Sequence, residues 1–191
     1  SGVSDGHSDM RKLEIANFAF GGDFTSRLSQ TIRAKNGWTY GIYSGFFQLL
    51  GPSQNSSLFS IYSYPSRDYA SQTVEMTYKM FSNFLDQGVT QKELESAKST
   101  LSKSYPFLVN SGEKRLQLQL RERLTGRVYQ TVEEYRTELN RISLEDVNQA
   151  LQQRLSNRIL YVVAVGDPKE LQPCLEGILQ KPRIEILDVK P

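Results

Sequence analysis

Helical and strand patterns follow one another in this 191-residue chain in an order that few architectures accommodate. Two helical segments come first, and two segments rich in aromatic and β-branched residues, 39–50 and 57–64, follow them. A Gly-Pro and polar loop separates the two segments, which predicts a hairpin of two strands. A cluster of helices comes next. This order predicts an α+β fold, a two-layer sandwich in which helices pack on one face of a mostly antiparallel sheet.

The helical segments have recognisable start and stop signals. Thr90 with Glu93 and Ser143 with Asp146 form capping boxes, while Asn36-Gly37 and Gly88 are typical helix ends. The second helix after the hairpin region should be interrupted near Pro106, because proline cannot donate to the helical ladder. The predicted helices cover residues 9–20, 26–36, 66–88, 90–106, 112–124, 131–139, 143–155 and 169–179.

Two further segments have the length and composition of strands. Residues 159–165 are continuously apolar, which predicts a central strand covered on both faces, and residues 184–189 form a possible terminal strand. Few strands exist to cover the helices, so the first strand or strands are expected to lie upstream or to come from another chain. Residues 1–8 are expected to be a cloning remnant or disordered, and residues 9–191 a single domain.

Composition excludes several classes of partner. The 23 basic and 21 acidic residues are spread along the chain and leave a formal charge of +2, which gives no field to attract nucleic acid. No stretch approaches the roughly 20 apolar residues of a membrane span. We therefore expect neither a nucleic-acid nor a membrane partner, while the cellular compartment stays open. The single cysteine, Cys174, is expected to pack as a small hydrophobic residue.

The chain lacks the residues for catalysis on its own. Its one histidine, His7, lies in the opening segment, whereas a catalytic zinc site usually takes three protein ligands and a nucleophilic serine or cysteine needs a nearby base. Carboxylate pairs stay open, but Glu93, Glu95, Glu133 and Glu134 lie on predicted helices where pairing with cations explains them. We expect no catalytic residue, no metal ligand and no bound cofactor.

Three motifs carry a resemblance to a known family. The segment 21–41 reads GGDFTSRLSQTIRAKNGWTYG, the segment 88–98 reads GVTQKELESAK, and the segment 162–167 reads VVAVGD. In this order they resemble the C-terminal, non-catalytic domain of zinc metallopeptidases of the insulinase, pitrilysin and mitochondrial-processing-peptidase type. The family is built from homologous two-layer domains that enclose a chamber, and only one of them carries the zinc motif His-x-x-Glu-His.

That motif is absent here, so the resemblance implies a partner domain whose zinc is held by another domain or subunit. In such domains an arginine and a tyrosine seven residues apart help to hold the substrate peptide near the metal, and Arg33 and Tyr40 have this spacing. The alternative is that Arg33 is a solvated cation at a helix end and Tyr40 packs in a strand. Phe24 and Leu28 are expected to pack the short helix, and Trp38 to fill core.

Three functions remain open at this point. The first is a domain that binds and positions a peptide substrate for a catalytic metallopeptidase domain or subunit, and the second is an inactive relative that serves assembly. The third is an unrelated binding module. Arg33 and Tyr40 on a reachable surface favour the first function, their burial favours the second, and a closed apolar pocket with converging polar groups favours the third.

Overall fold

The computed structural model describes residues 3, 6–48, 57–156, 160–178 and 183–187. Strand β1 (Thr39–Gln48) pairs with strand β2 (Ser57–Pro65) in an antiparallel hairpin. Phe46 lies opposite Phe59, and Tyr43 lies opposite Tyr62. The predicted hairpin and the α+β class are therefore confirmed, although residues 49 and 50 of the first predicted strand lie outside the described residues.

Helices make up most of the described chain. A short helix of the π type spans Ser29–Lys35, and one 3₁₀ turn, Arg67–Tyr69, precedes the long helix after the hairpin. The α-helices are α1 (Met10–Phe20), α2 (Ala70–Gln87), α3 (Gln91–Leu108), α4 (Gly112–Thr125), α5 (Val132–Arg141), α6 (Leu144–Leu155) and α7 (Pro168–Ile178). Capping boxes open α3, α5 and α6, as the sequence pattern predicts for α3 and α6. None of the helices described is both long and apolar enough to cross a membrane.

Aromatic side chains join the helices to one face of the hairpin. The Phe20 ring, at the end of α1, stacks on Phe84 of α2 with 4.5 Å between ring centres. Phe59 of β2 stacks on Phe81 of α2 at 5.7 Å and contacts Phe46 of β1 at 5.0 Å. Since alternate strand residues point to opposite faces, this packing directs Tyr43 and Tyr62 away from the helices.

Helix α3 runs past its proline. We expected an interruption near Pro106, but the helix continues to Leu108. Pro106 lies in the last turn, where its missing N–H removes a single helical hydrogen bond and the helix ends two residues later. A proline in the last turn therefore lies close to the helix end but does not break the helix.

The expected central strand is wrong over its described part. Residues 160–165 form no regular structure, and Tyr161, Val163 and Val165 are 79%, 91% and 94% exposed. A strand covered on both faces needs neighbouring strands, but in the described part of the chain the sheet consists of β1 and β2 alone. Residues 184–187 are also outside regular structure, and residues 159, 188 and 189 lie outside the described residues.

A small apolar cluster forms near the start of the chain. Val3 is buried with Met10 and Leu13 of α1 and with Ala150 of α6. The Ser57 hydroxyl donates a hydrogen bond to the Val3 carbonyl at 2.6 Å. Val3 thus contacts both the helices and the hairpin, and the proposed division of the chain at residue 8 stays a prediction.

Candidate substrate-binding site

The paired glycines 21 and 22 let β1 lie directly against the end of α1. The Ser44 N–H donates to the Gly21 carbonyl at 2.9 Å, and the Ser44 hydroxyl donates to Oδ1 of Asn17 at 2.7 Å. A Cβ atom on Gly21 would collide with the Ser44 side chain, and one on Gly22 with the Asn17 side chain. These glycines therefore serve close packing, which agrees with a structural role and not with a phosphate loop.

Arg27 anchors the segment that leads into the short helix 29–35. Its guanidinium donates to both carboxylate oxygens of Glu93 at 2.6 Å and to the Gly88 carbonyl at 2.8 Å, and it lies 5.3 Å from the ring centre of Phe84. This forked pairing ties the short helix to the junction of α2 and α3. Sequence analysis did not single out Arg27, although both Arg27 and Glu93 lie within the quoted motifs.

The hydrogen-bond partners of Glu93 lower the pKa of its carboxylate. Burial raises the pKa of Glu93, but hydrogen bonds from Arg27 and from the backbone and hydroxyl of Thr90 outweigh burial and hold this pKa below its ordinary value of 4.5. A carboxylate with a lowered pKa in the folded state stabilises the fold above its ordinary pKa. That contribution is lost as the pH falls through the lower, folded-state pKa.

Replacing Glu93→Gln should therefore destabilise the chain most at neutral pH. We expect the difference in free energy of unfolding between the native chain and the variant to shrink as the pH falls below about 4.5, because protonation removes the charge from Glu93 in the native chain as well. Urea denaturation at several pH values measures this difference. Glu95→Gln, on the same helix and with a carboxylate that accepts from Gln91, is the matched control. A difference that does not vary with pH would contradict the account.

Arg33 and Tyr40 come together on one surface. The guanidinium carbon of Arg33 lies 5.6 Å from the ring centre of Tyr40 and 5.0 Å from that of Phe24. Arg33 is half-buried, whereas Tyr40 is 88% exposed. The structure thus brings the two sequence-predicted residues into contact at a solvent-reachable position, and their role in binding a substrate stays a prediction.

A sharp turn between the short helix and β1 produces this convergence. Gly37 has φ of +66° and donates its N–H to the Arg33 carbonyl at 3.0 Å. This conformation favours glycine, as expected for the end of the helix. Ile32, next to Arg33, is fully buried, and its burial holds the short helix against the core. Trp38 is half-buried and stacks on Tyr69. The turn therefore places the residues on either side of it, Arg33 and Tyr40, next to each other.

Phe24 packs against the short helix from the surface and not from the core. Leu28 is fully buried, but Phe24 is 57% exposed. Its ring instead lies under the Arg33 guanidinium and meets the Tyr43 ring edge-on at 6.1 Å. An arginine above an aromatic face gains from the negative potential of the ring, which stabilises the contact at this exposed position. Phe24 is therefore a residue of the site, whereas the sequence indicated only a packing role for it.

The described residues do not fit a zinc ion. Among residues 3, 6–48, 57–156, 160–178 and 183–187, no three of His, Cys, Asp or Glu lie together in a way that could hold a metal. The imidazole of His7 accepts a hydrogen bond through Nδ1 from the Asp9 N–H at 3.0 Å.

Hydrogen-bond donation is the chemistry that the Arg33–Tyr40 pair offers. A guanidinium carries five N–H donors and stays charged, and a phenol adds one O–H donor. Such donors can bind the carbonyl oxygens of a peptide or stabilise negative charge that develops on a carbonyl oxygen. The pair therefore suits the binding and polarisation of a peptide more than proton transfer.

A two-layer α+β domain with these motifs in this order is the class that the resemblance implies. The chain belongs to the family described as Peptidase M16 inactive domain, which matches residues 1–101. The resemblance to the non-catalytic domain of zinc metallopeptidases is thereby confirmed.

Curated relatives and solved structures agree with this family. The Bacillus subtilis protein named "Uncharacterized zinc protease YmxG" is 26% identical over 90% of this chain and 41% of its own length. The Helicobacter pylori protein named "Non-peptidase homolog YmxG" is 25% identical over 88% of this chain and 38% of its own length. The chain thus spans about two fifths of the length of these relatives.

The fold recurs in solved structures. A peptidase M16 inactive domain from Pseudomonas fluorescens matches with a TM-score of 0.68 at 25% identity, over 81% of this chain and 36% of that chain. A chain of complex III2 from Candida albicans matches with a TM-score of 0.62 at 12% identity, over 82% of this chain and 39% of that chain. The second likeness concerns the fold alone.

Proposed function

We propose that this chain binds and positions peptide substrates for a zinc site that is held by a partner domain or subunit of a metallopeptidase. In this proposal the chain itself supplies no metal ligand and no catalytic residue. Arg33 and Tyr40 donate hydrogen bonds to the peptide, and the partner contributes the zinc and its His-x-x-Glu-His motif.

The observation that carries the proposal is the contact between Arg33 and Tyr40 on an exposed surface. Two donors that recognise carbonyl oxygens lie within reach of one peptide, and Tyr40 is open to solvent. Membership of the Peptidase M16 inactive domain family and similarity to a protein named as a zinc protease support a catalytic partner.

The second candidate is an inactive relative that serves assembly. It is favoured by the Helicobacter pylori relative, whose name describes a non-peptidase homologue, and by the shared fold with a chain of complex III2. The exposed position of the Arg33–Tyr40 pair favours the first candidate, because side chains that donate to a bound peptide must be reachable from solvent.

Reconstitution with the metal-binding partner tests the proposal. We expect the chain alone, with or without added zinc, to leave a fluorogenic peptide library intact, and the mixture of chain, partner and zinc to cleave it at least about tenfold faster than the partner alone. Measuring the initial rates of the three mixtures decides the matter. Equal rates for the partner with and without this chain would favour the assembly role, and cleavage by the chain alone would contradict the proposal.

A further inference from the structure

A row of aromatic rings covers the face of the hairpin that points away from the helices. The Tyr43 and Tyr62 rings lie 5.7 Å apart across the two strands, and Tyr62 also contacts Phe47 at 6.0 Å and Tyr64 at 6.4 Å. Phe24 joins the row through Tyr43. We call Phe24, Tyr43, Phe47, Tyr62 and Tyr64 the aromatic strip.

The aromatic strip is reachable from solvent. Phe47 is 47% exposed, Tyr62 is 42% exposed and Tyr64 is 77% exposed, so these rings do not contribute to the core as Phe46 and Phe59 do on the opposite face. Contiguous exposed aromatic side chains are unusual on the surface of a folded protein and mark interaction sites. The strip is therefore a candidate binding surface.

The aromatic strip is continuous with the Arg33–Tyr40 pair. The Phe24 ring contacts the Arg33 guanidinium on one side and the Tyr43 ring on the other. A peptide held by Arg33 and Tyr40 can therefore run directly onto the strip. Between Tyr43 and Phe47 the strand rises about 13 Å at roughly 3.3 Å per residue, which matches about four residues of an extended peptide.

Charge decides which side chains suit this surface. No charged residue occurs between Lys35 and Arg67, so the hairpin offers no carboxylate to a basic side chain. The acidic residue nearest to the strip in sequence, Asp23, accepts hydrogen bonds from the N–H and hydroxyl of Thr25 at 2.8 and 2.7 Å. The cation that touches the strip, Arg33, repels a further cation. Aromatic and aliphatic side chains therefore suit this surface best, because they lose no hydrogen bonds to water when they bind to it.

We propose that the aromatic strip selects substrates that carry aromatic or aliphatic side chains in an extended stretch next to the segment bound by Arg33 and Tyr40. This inference rests on the proposed function and names its substrate class. Alternate residues of the bound stretch place their side chains on the strip, because the side chains of an extended peptide alternate between two faces.

Binding of short labelled peptides to the chain tests the inference. The first probe alternates Phe with Thr, and the two comparison probes alternate Ser with Thr and Lys with Thr. We expect fluorescence anisotropy to give a Kd for the Phe probe that is at least about tenfold below those of the other two. The double variant Phe47→Thr, Tyr62→Thr keeps β-forming residues and should weaken binding of the Phe probe about tenfold. Phe107→Ala, which removes an exposed ring from α3, should leave its Kd unchanged.

Three results would overturn the inference. The first is equal affinity for the Phe and Ser probes, and the second is tighter binding of the Lys probe than of the Phe probe. The third is concentration-dependent self-association that the double variant abolishes, because the strip would then bind a second copy of the chain and not a peptide. Circular dichroism of the double variant establishes that it is folded.

Cleavage of the same probes by the reconstituted enzyme separates this inference from the proposed function. One result would overturn the role of the strip and leave the proposed function intact. In that result Arg33→Ala loses cleavage, but the double variant Phe47→Thr, Tyr62→Thr still prefers the Phe probe. Unchanged cleavage in Arg33→Ala overturns the proposed function and with it the substrate class assigned here.

Discussion

Replacing Phe20→Ala should destabilise the chain by about 3–5 kcal/mol, the cost typical of removing a buried phenylalanine side chain. Phe20 is fully buried, and its ring contacts Phe84 at 4.5 Å, Phe81 at 5.7 Å and Phe59 at 6.5 Å. These neighbours belong to α2 and β2, so the cavity left by alanine would lie where both layers of the fold meet. Neighbouring rings cannot close such a cavity without moving a whole element.

Urea denaturation followed by circular dichroism measures this loss. Phe107→Ala is the matched control, because Phe107 is 67% exposed on α3 and its removal should change the free energy of unfolding by less than about 0.5 kcal/mol. Equal effects of the two substitutions would mean that Phe20 does not lie at the junction of the layers.

The sequence was informative wherever local chemistry decides the structure. Capping boxes placed the starts of α3 and α6, and Gly37 placed the turn into β1, because these signals act within a few residues. The hairpin was predicted for the same reason, since its two strands are neighbours in sequence.

Pairing between distant segments could not be predicted in this way. The apolar run 159–165 has the composition of a buried strand, but composition does not say which strand lies beside it. Its described part, residues 160–165, is exposed and outside regular structure. Such a segment becomes a strand only if a strand from a distant part of the sequence pairs with it. The pattern of residues within the segment does not show whether that strand exists.

In the candidate site, too, local signals could be predicted from the sequence and the contacts between side chains could not. Motif spacing indicated Arg33 and Tyr40, but their contact depends on the turn at Gly37 and on the burial of Ile32. Phe24 was expected to pack the short helix, and it does so at the surface, where its ring contacts Arg33 and Tyr43. Arg27 was missed because its partner Glu93 lies 66 positions away in the sequence.

Arg33→Ala should lower kcat/KM of the reconstituted enzyme by about 100-fold. Removing a charged donor of hydrogen bonds to the bound peptide costs about 1.5–3 kcal/mol, which corresponds to a loss of this size, and alanine cannot replace the charge of arginine. Tyr40→Phe keeps the ring over which Arg33 lies and removes one hydroxyl donor, so a loss of about tenfold is expected. Arg136→Ala, which removes an exposed arginine from α5, should leave kcat/KM within about twofold of the native value.

The most direct measurement is kcat/KM for both single variants and for the double variant Arg33→Ala, Tyr40→Phe in the reconstituted enzyme. If the two side chains donate to the same peptide, the double variant should lose about as much as Arg33→Ala alone, and clearly less than the product of the single losses. Activity in Arg33→Ala equal to that of the native chain would contradict a role for this surface in holding the substrate.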